Sequence, residues 1–226
     1  MYNWFDRTPL LAGAKWRERG VAAIGAALGI GIAAWISTTF MGAPGAGLLL
    51  VAPMGASAVL IFAVPSSPMA QPWPVIAGNV VSALVGIGIA NLLAHGALAA
   101  GVALFAAILA MSALRCLHPS GGATALLAIL GGPAIVAQSY AFALVPVGLD
   151  AILLVGAGLA FHRISGHSYP HRAAPVDMRR LTDADVDAAL AEADESFDIS
   201  REDLRALLEA AERHGDARRA RKPRKA

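Results

Sequence analysis

The sequence predicts an all-α membrane protein: a polytopic bundle of six hydrophobic segments, two of them broken, followed by a short soluble helical tail. Three observations carry this expectation. Across residues 20–162 the only Lys, Arg, Asp or Glu side chains are Arg115 and Asp150, whereas a soluble core of that size needs charged faces toward water. Composition agrees, with 57% hydrophobic residues, 15% charged residues and a mean hydropathy of +0.59, outside the usual soluble range. The remaining charge sits in two flanks. Residues 1–19 form an N-terminal segment, residues 20–162 the membrane domain, and residues 163–226 a tail with thirteen basic and thirteen acidic side chains.

A membrane-spanning helix needs about 20 mostly apolar residues. Residues 20–41 supply the first segment, long enough to be a retained helix rather than a cleaved signal. The second covers 46–64 and is interrupted at Ala52-Pro53-Met54-Gly55. After the turn-rich stretch 65–74, residues 75–94 form a third segment and 97–114 a fourth. The fifth, 120–137, is short and glycine-rich and breaks at Gly131-Gly132-Pro133. The sixth is 140–162. Small residues recur every four positions at Gly25, Gly29 and Ala33, and at Gly78, Ser82, Gly86 and Ala90. Such stripes let helix backbones pack closely in lipid.

Cationic flanks set orientation. Lys15, Arg17 and Arg19 precede the first segment, and Arg163, Arg172, Arg179 and Arg180 follow the last. Both termini are therefore expected in the cytoplasm, in a cell inner membrane, with an even number of spans and Arg115 at a cytoplasmic helix end.

The two broken segments share a pattern. Pro53-Met54-Gly55-Ala56-Ser57-Ala58-Val59-Leu60 matches Pro119-Ser120-Gly121-Gly122-Ala123-Thr124-Ala125-Leu126-Leu127 once one glycine is gapped. Each follows a proline and opens a helix whose first turn carries glycine and a hydroxyl. Grouped three and three, the segments give halves of inverted topology, in which paired discontinuous helices mark a transporter's binding site. A helix starting at such a break exposes unpaired N–H groups and a partial positive charge, which suits a small anion. Gly55, Ser57, Gly121, Gly122 and Thr124 are thus substrate-site candidates. The competing reading is a pair of ordinary kinks whose hydroxyls bond back to the preceding turn. His118 is a titratable neighbour of the second break, or a structural hydrogen-bonding group. Arg115 is either part of the site or a snorkelling anchor. Asp150, expected in mid-span, has to face a polar interior, and Asn79 is a weaker candidate of the same kind. No HExxH, GxSxG, carboxylate pair or Cys/His cluster of ligand spacing occurs, so neither enzyme activity, a metal nor a cofactor is expected. Cys116 is the single cysteine.

The run Cys116-Leu117-His118-Pro119-Ser120-Gly121-Gly122-Ala123-Thr124-Ala125-Leu126, continuing to Pro133, resembles the signature of the HPP family of integral membrane proteins. So do Ala52–Leu60, Ser67-Pro68-Met69-Ala70-Gln71-Pro72 and Gly166-His167-Ser168-Tyr169-Pro170-His171-Arg172. The family's His-Pro-Pro triplet stands here as His118-Pro119-Ser120. The resemblance implies passage of a small anion, since plastid and cyanobacterial relatives are linked to nitrite. Bacterial relatives often carry a cytoplasmic CBS pair after the membrane region. This chain resembles their connecting segment and stops where that pair begins, so nucleotide sensing by that module is not expected.

In the tail, Thr182 is placed to cap a helix over about 183–195. Ser200 and Asp203 resemble a capping box for a second helix ending near Arg213, with Gly215 as its stop. The cationic run Arg218–Lys225 reads as a solvated tail, with attraction to anionic lipid as an alternative.

The primary expectation is a membrane transport protein for a small inorganic anion such as nitrite. Its partners are the lipid bilayer and that anion; a homo-oligomer is left open and no specific nucleic acid is expected. The alternative is a non-transporting scaffold whose tail recruits a partner. Reporter fusions at residue 10 and residue 226 should both signal cytoplasm; a periplasmic signal at either would refute the even-span topology.

Overall fold

The computed structural model describes residues 16–41, 50–93, 96–132, 135, 139–173, 182–193 and 198–221. The segment up to Lys15, the start of the second apolar run at 46–49, residues 94–95 and the basic run beyond Arg221 lie outside them. Among the described residues all regular secondary structure is helical, with no strand.

Six helices among the described residues form the membrane bundle. Helix α1 is Trp16–Met41, α2 Met54–Ala63, α3 Pro72–Leu92, α4 Ala97–Ala113, α5 Pro119–Leu130 and α6 Leu149–Ser165. A kinked helical turn, Ala143–Gly148, leads into α6, where Val145 is extended (φ −136°, ψ 118°) ahead of Pro146. A proline disfavours helical geometry in the residue before it. Three stretches are long and apolar enough to cross a bilayer: Trp16–Thr39, Pro72–Leu92 and Ala143–Ser165. Helix α4, with 17 residues, falls just below that length, and α2 and α5, with 10 and 12, are half-length. The two irregular segments expected from sequence are these last two.

Proline sets where they begin. Pro53 caps α2 with φ −52°. Pro119 is the first residue of α5, and His118 before it is extended (φ −145°, ψ 120°), the geometry a following proline imposes.

Contacts at the helix ends fix direction. Arg19, near the start of α1, donates to the carbonyl of Ala63 at the end of α2 (2.7 Å). Ser37, near the other end of α1, bonds Asp150 in the first turn of α6. His162, near the end of α6, meets the carbonyl of Ile61 (2.8 Å). Helix α1 therefore runs antiparallel to both α2 and α6. Trp73 at the start of α3 donates to Leu114 just after α4 (3.2 Å), so α3 and α4 are antiparallel, while α5 lies parallel to α3. The order α1–α2–α3 and the order α4–α5–α6 thus run in opposite senses. Each short helix packs on its own half and on the last helix of the other: α5 on α3, and α2 on α6.

Small residues permit the closest of these approaches. A Cβ added at Gly86 would lie 2.6 Å from the Ala125 carbonyl oxygen, and one at Gly78 2.7 Å from that of Cys116. At Gly121 it would meet Ser82 Oγ at 2.6 Å. On α1, Gly25 and Gly29 receive the ring of Phe62. Residues pointing outward on α1, including Ile24, Leu28, Ile32 and Trp35, are large, apolar and exposed, as a lipid-facing surface requires.

The tail holds two helices, α7 (Asp183–Ala193) and α8 (Arg201–Arg221). Arg205 and Asp183 join them at 2.7 Å, and Arg201 pairs with Asp187. Asp203 accepts from its own capping partner Ser200, whose Oγ in turn accepts the Asp203 N–H (3.0 Å). Gly215 does not stop α8, contrary to the sequence expectation. The helix continues through the glycine to Arg221, with the pairs Arg213–Glu209 before it and Arg219–Asp216 after it; such pairs offset part of the roughly 1 kcal/mol helix penalty of glycine. The tail is fastened to the bundle by Ser67 to Asp198 (2.7 Å) and by His171 to Asp203 (2.7 Å).

Two outcomes follow from this packing. Gly86→Val should lower the melting temperature in detergent by an amount corresponding to about 1–3 kcal/mol, whereas Gly101→Ala, inside α4 where an added Cβ meets nothing within 4 Å, should not lower it and should raise it slightly. Burial raises the Asp203 carboxyl, but hydrogen bonds from Ser200 and His171 and the His171 charge hold it below the usual range. Its stabilisation of the docked tail is therefore complete above the unfolded value near 3.9 and is lost as pH falls through the lower folded value. Limited proteolysis should show the tail freed below about pH 4, with that pH step absent in Asp203→Asn.

Candidate functional site

The starts of α2 and α5 meet inside the bundle. Ser57, in the first turn of α2, lies with its Oγ 2.8 Å from Nε2 of His118, the residue that caps α5. Asn79 of α3 stands between them. Its amide nitrogen donates to the Val75 carbonyl (2.8 Å) and to Ser57 Oγ (3.3 Å). Its carbonyl oxygen accepts from Thr124 Oγ1 (2.8 Å) and Ser120 Oγ (3.1 Å). Ser120 also reaches the Pro53 carbonyl at 2.5 Å, and Thr124 the Ser120 carbonyl at 3.0 Å. Ser57, Asn79, His118, Ser120 and Thr124 all have no solvent-accessible surface.

Proton positions follow from the acceptors. Nδ1 of His118 is 2.8 Å from the carbonyl of Met69, which can only accept, so Nδ1 carries the hydrogen. In the neutral ring Nε2 is then bare and accepts from Ser57, whose oxygen is left to accept from Asn79. The hydroxyls of Ser120 and Thr124 point their protons at carbonyl oxygens. The result is a single directed chain of donors from α5 through α3 to α2 and back to the capping histidine.

Depth comes from helix rise. Ser57 is six residues from Ala63, the end of α2, and Gly78, against which His118 packs, is six residues from the start of α3. At 1.5 Å per residue both place the network about 9 Å inside the bundle from the end where α1 begins. The two half-length helices run away from this level in opposite directions, so their positive ends converge on it.

The sequence candidates divide accordingly. Ser57, His118 and Thr124 are in the network, and Gly121 packs at its edge against Ser82 and the Gly78 carbonyl. Gly55 is exposed, with nothing near it, and Gly122 faces the side chain of Leu104 (3.1 Å). Arg115 is exposed in the turn after α4, with φ 53°. Asp150 is buried elsewhere, beyond the kink and in the first turn of α6, accepting from Ser37 and from the Val51 N–H (3.1 Å). It joins α1, the entry to α2 and α6, and has no hydrogen bond to the Asn79 network. The expected unpaired N–H groups are not found at the start of α2: the amides of Met54, Gly55 and Ala56 bond the carbonyls of Val51, Ala52 and Pro53 (3.0, 3.0 and 3.1 Å). That preceding turn caps the helix.

Asn79 is the residue that sequence reading underweighted, and Ser120 and Ser37 escaped it. The available signal was phase. Asn79 follows Gly78 directly and lies three residues before Ser82 and seven before Gly86, on the small-residue face that buries itself against α5.

The HPP transmembrane-region family matches residues 12–170. A Dictyostelium discoideum transmembrane protein is 35% identical over 130 residues, covering 54% of this chain and 44% of its own length. A second transmembrane protein of that organism is 39% identical over 87 residues, covering 37% and 28%. The matched part therefore spans less than half of either relative. No solved structure matches the chain. A buried polar junction between two interrupted helices, built on the His118-Pro119-Ser120 and Pro53–Leu60 motifs inside a multi-pass bundle, lies within that match, and the chain belongs to the HPP transmembrane family.

Proposed function

We propose that the chain is a non-catalytic transport protein of the inner membrane, with both termini cytoplasmic, that passes a small inorganic anion, nitrite being the first to test. The observation that carries the reading is the junction itself. Two half-length helices, one from each inverted half, meet start to start and are tied by hydroxyls, an amide and an imidazole with no carboxylate among them. Polar side chains are costly at this depth and cluster along solute pathways. The dipoles of the two converging helix starts favour a negative solute, even with the first amides of α2 bonded to the preceding turn. With all its groups bonded to one another, the junction describes a closed arrangement. An anion entering it takes the Ser57, Ser120 and Thr124 protons, and water entering with it supplies donors to the His118 Nε2 and Asn79 Oδ1 acceptors left behind.

Arg115 and Asp150 take different parts in this reading. Arg115, exposed at a helix end, is an anchor at the interface. Asp150 holds α1, α6 and the entry to α2 together, away from the solute.

Flux into proteoliposomes tests the proposal. Ser57→Ala and Thr124→Val each remove a donor worth about 0.5–1.5 kcal/mol and should raise the half-saturating nitrite concentration about two- to twelvefold, while the buried partners they leave unpaired should also lower the melting temperature. Removal of residues 176–226 should leave flux intact. Flux that is unaffected by the two hydroxyl variants, or lost on removing the tail, would favour a scaffold organised by the tail instead.

A further inference from the structure

A second polar site lies apart from the junction, at the end of the bundle where α1 begins and α2 and α6 finish. A cavity of about 470 Å³ there is lined by Glu18, Arg19, Phe62, His162, His167 and His171, among others. Arg19 sits at its wall with Nη1 held by the Ala63 carbonyl. His162 is 1% exposed, and its Nε2 lies 2.8 Å from the carbonyl of Ile61. That carbonyl can only accept, so Nε2 carries the hydrogen and Nδ1 of the neutral ring is bare. Nδ1 is buried and has no hydrogen-bond partner among the described residues. An orphaned buried acceptor on a ring that lines a cavity is unusual in a native structure and calls for an explanation.

Charge supplies one. The Arg19 and Glu18 charges cancel, so a negative ligand in this cavity needs one further positive group. The other titratable groups facing His162 come from the segment after α6: His167, with ring centres 5.8 Å apart, Tyr169 at 5.3 Å, and His171 at the cavity rim. His171 is engaged by Asp203, and His167 lies beside Ser165 Oγ (3.2 Å) on the exposed side. Helix α2 contributes no titratable side chain. The one ring that is both buried and lacking a partner is His162.

We propose that this cavity binds a small monovalent oxyanion together with one proton, the Arg19 guanidinium facing the anion and His162 Nδ1 taking the proton from solvent. The N–H at Nε2 stays on Ile61, so a single N–H bond forms and the imidazolium gains the partner that the neutral ring lacks. The pair enters as a neutral unit, which removes the cost of placing a net charge at the mouth of a membrane protein. The site shares no residue with the Ser57–His118 junction. Its occupancy is therefore measurable whether or not flux is observed.

Calorimetric titration of the full chain in phosphatidylcholine nanodiscs with sodium nitrite, in buffers of different ionisation enthalpy, tests this. Saturable binding at pH 7 with close to one proton taken up per anion is expected, with affinity falling toward tenfold per pH unit in alkaline solution. His162→Gln keeps the donor to Ile61 but cannot take a proton. It should abolish proton uptake and weaken binding at least tenfold, and Arg19→Gln should weaken it comparably. If His162→Gln fails to fold, proton uptake and the alkaline fall in the unaltered chain still decide. A parallel titration in discs containing phosphatidylglycerol separates two sources of the same chemistry. Weakened nitrite binding assigns the site to a lipid phosphodiester, and unchanged binding to the free anion; both uphold an oxyanion site. No saturable binding, binding without proton uptake, or uptake that persists in folded His162→Gln would overturn it.

Discussion

The constraint on which the bundle rests is the need to satisfy one buried carboxamide. Asn79 brings two donors and two acceptor positions into a region without solvent, where each unmet one costs several kcal/mol. Its partners come from three places: its own preceding turn, the start of α2, and the first two turns of α5. Meeting them sets the height and rotation of both short helices against α3. The hydroxyls reach only because the backbones are close, and they are close because positions 78, 86 and 121 lack a side chain. Hydrogen bonding and packing here are one condition stated twice.

Helix α2 shows how such conditions accumulate. Ten residues are too few for a helix to hold itself together. It is held instead at three heights: Val51 ahead of it by Asp150, Ser57 by His118 and Asn79, and its last carbonyls at Ile61 and Ala63 by His162 and Arg19. The fastening groups come from α1, α3, α6 and the cap of α5. Polar side chains so sparse in the sequence are therefore spent at the points where a short element would otherwise come loose. The same economy explains why His162 matters beyond its own bond, since one of its nitrogens is structural and the other is left over.

How much of this was legible depended on range. Charge distribution located the membrane domain because hydrocarbon excludes charge wherever it falls in the chain. Prolines located the breaks because they act on their immediate neighbours: His118 is extended, and α2 begins beside Pro53. The short internal match joined Ser57 to the Thr124 region across more than sixty residues. What it could not give was helical phase. Gly55 and Gly122 share the motif with Ser57 and Gly121 but face outward or toward Leu104. The serines at 37 and 120 were unreadable because a serine in an apolar helix ordinarily bonds its own turn, and only the fold supplies Asp150 or Asn79 instead. At Gly215 a sound local rule failed, because α8 runs through the glycine to Arg221.

The pairing of α3 with α5 also has a consequence for biosynthesis. The third segment leaves the ribosome before the groups that complete its polar face exist: Ser120 and Thr124 follow Asn79 by 41 and 45 residues. At an elongation rate of about 5–20 residues per second, the interval is roughly 2–9 s. Through it the carboxamide has only Ser57 and its own turn to bond, and the rest of its demand falls on water, headgroups or the insertion machinery. Until the fifth segment is made, the polar face of the third helix is incompletely bonded, and its burial in the bundle is completed only when the fifth helix packs on it.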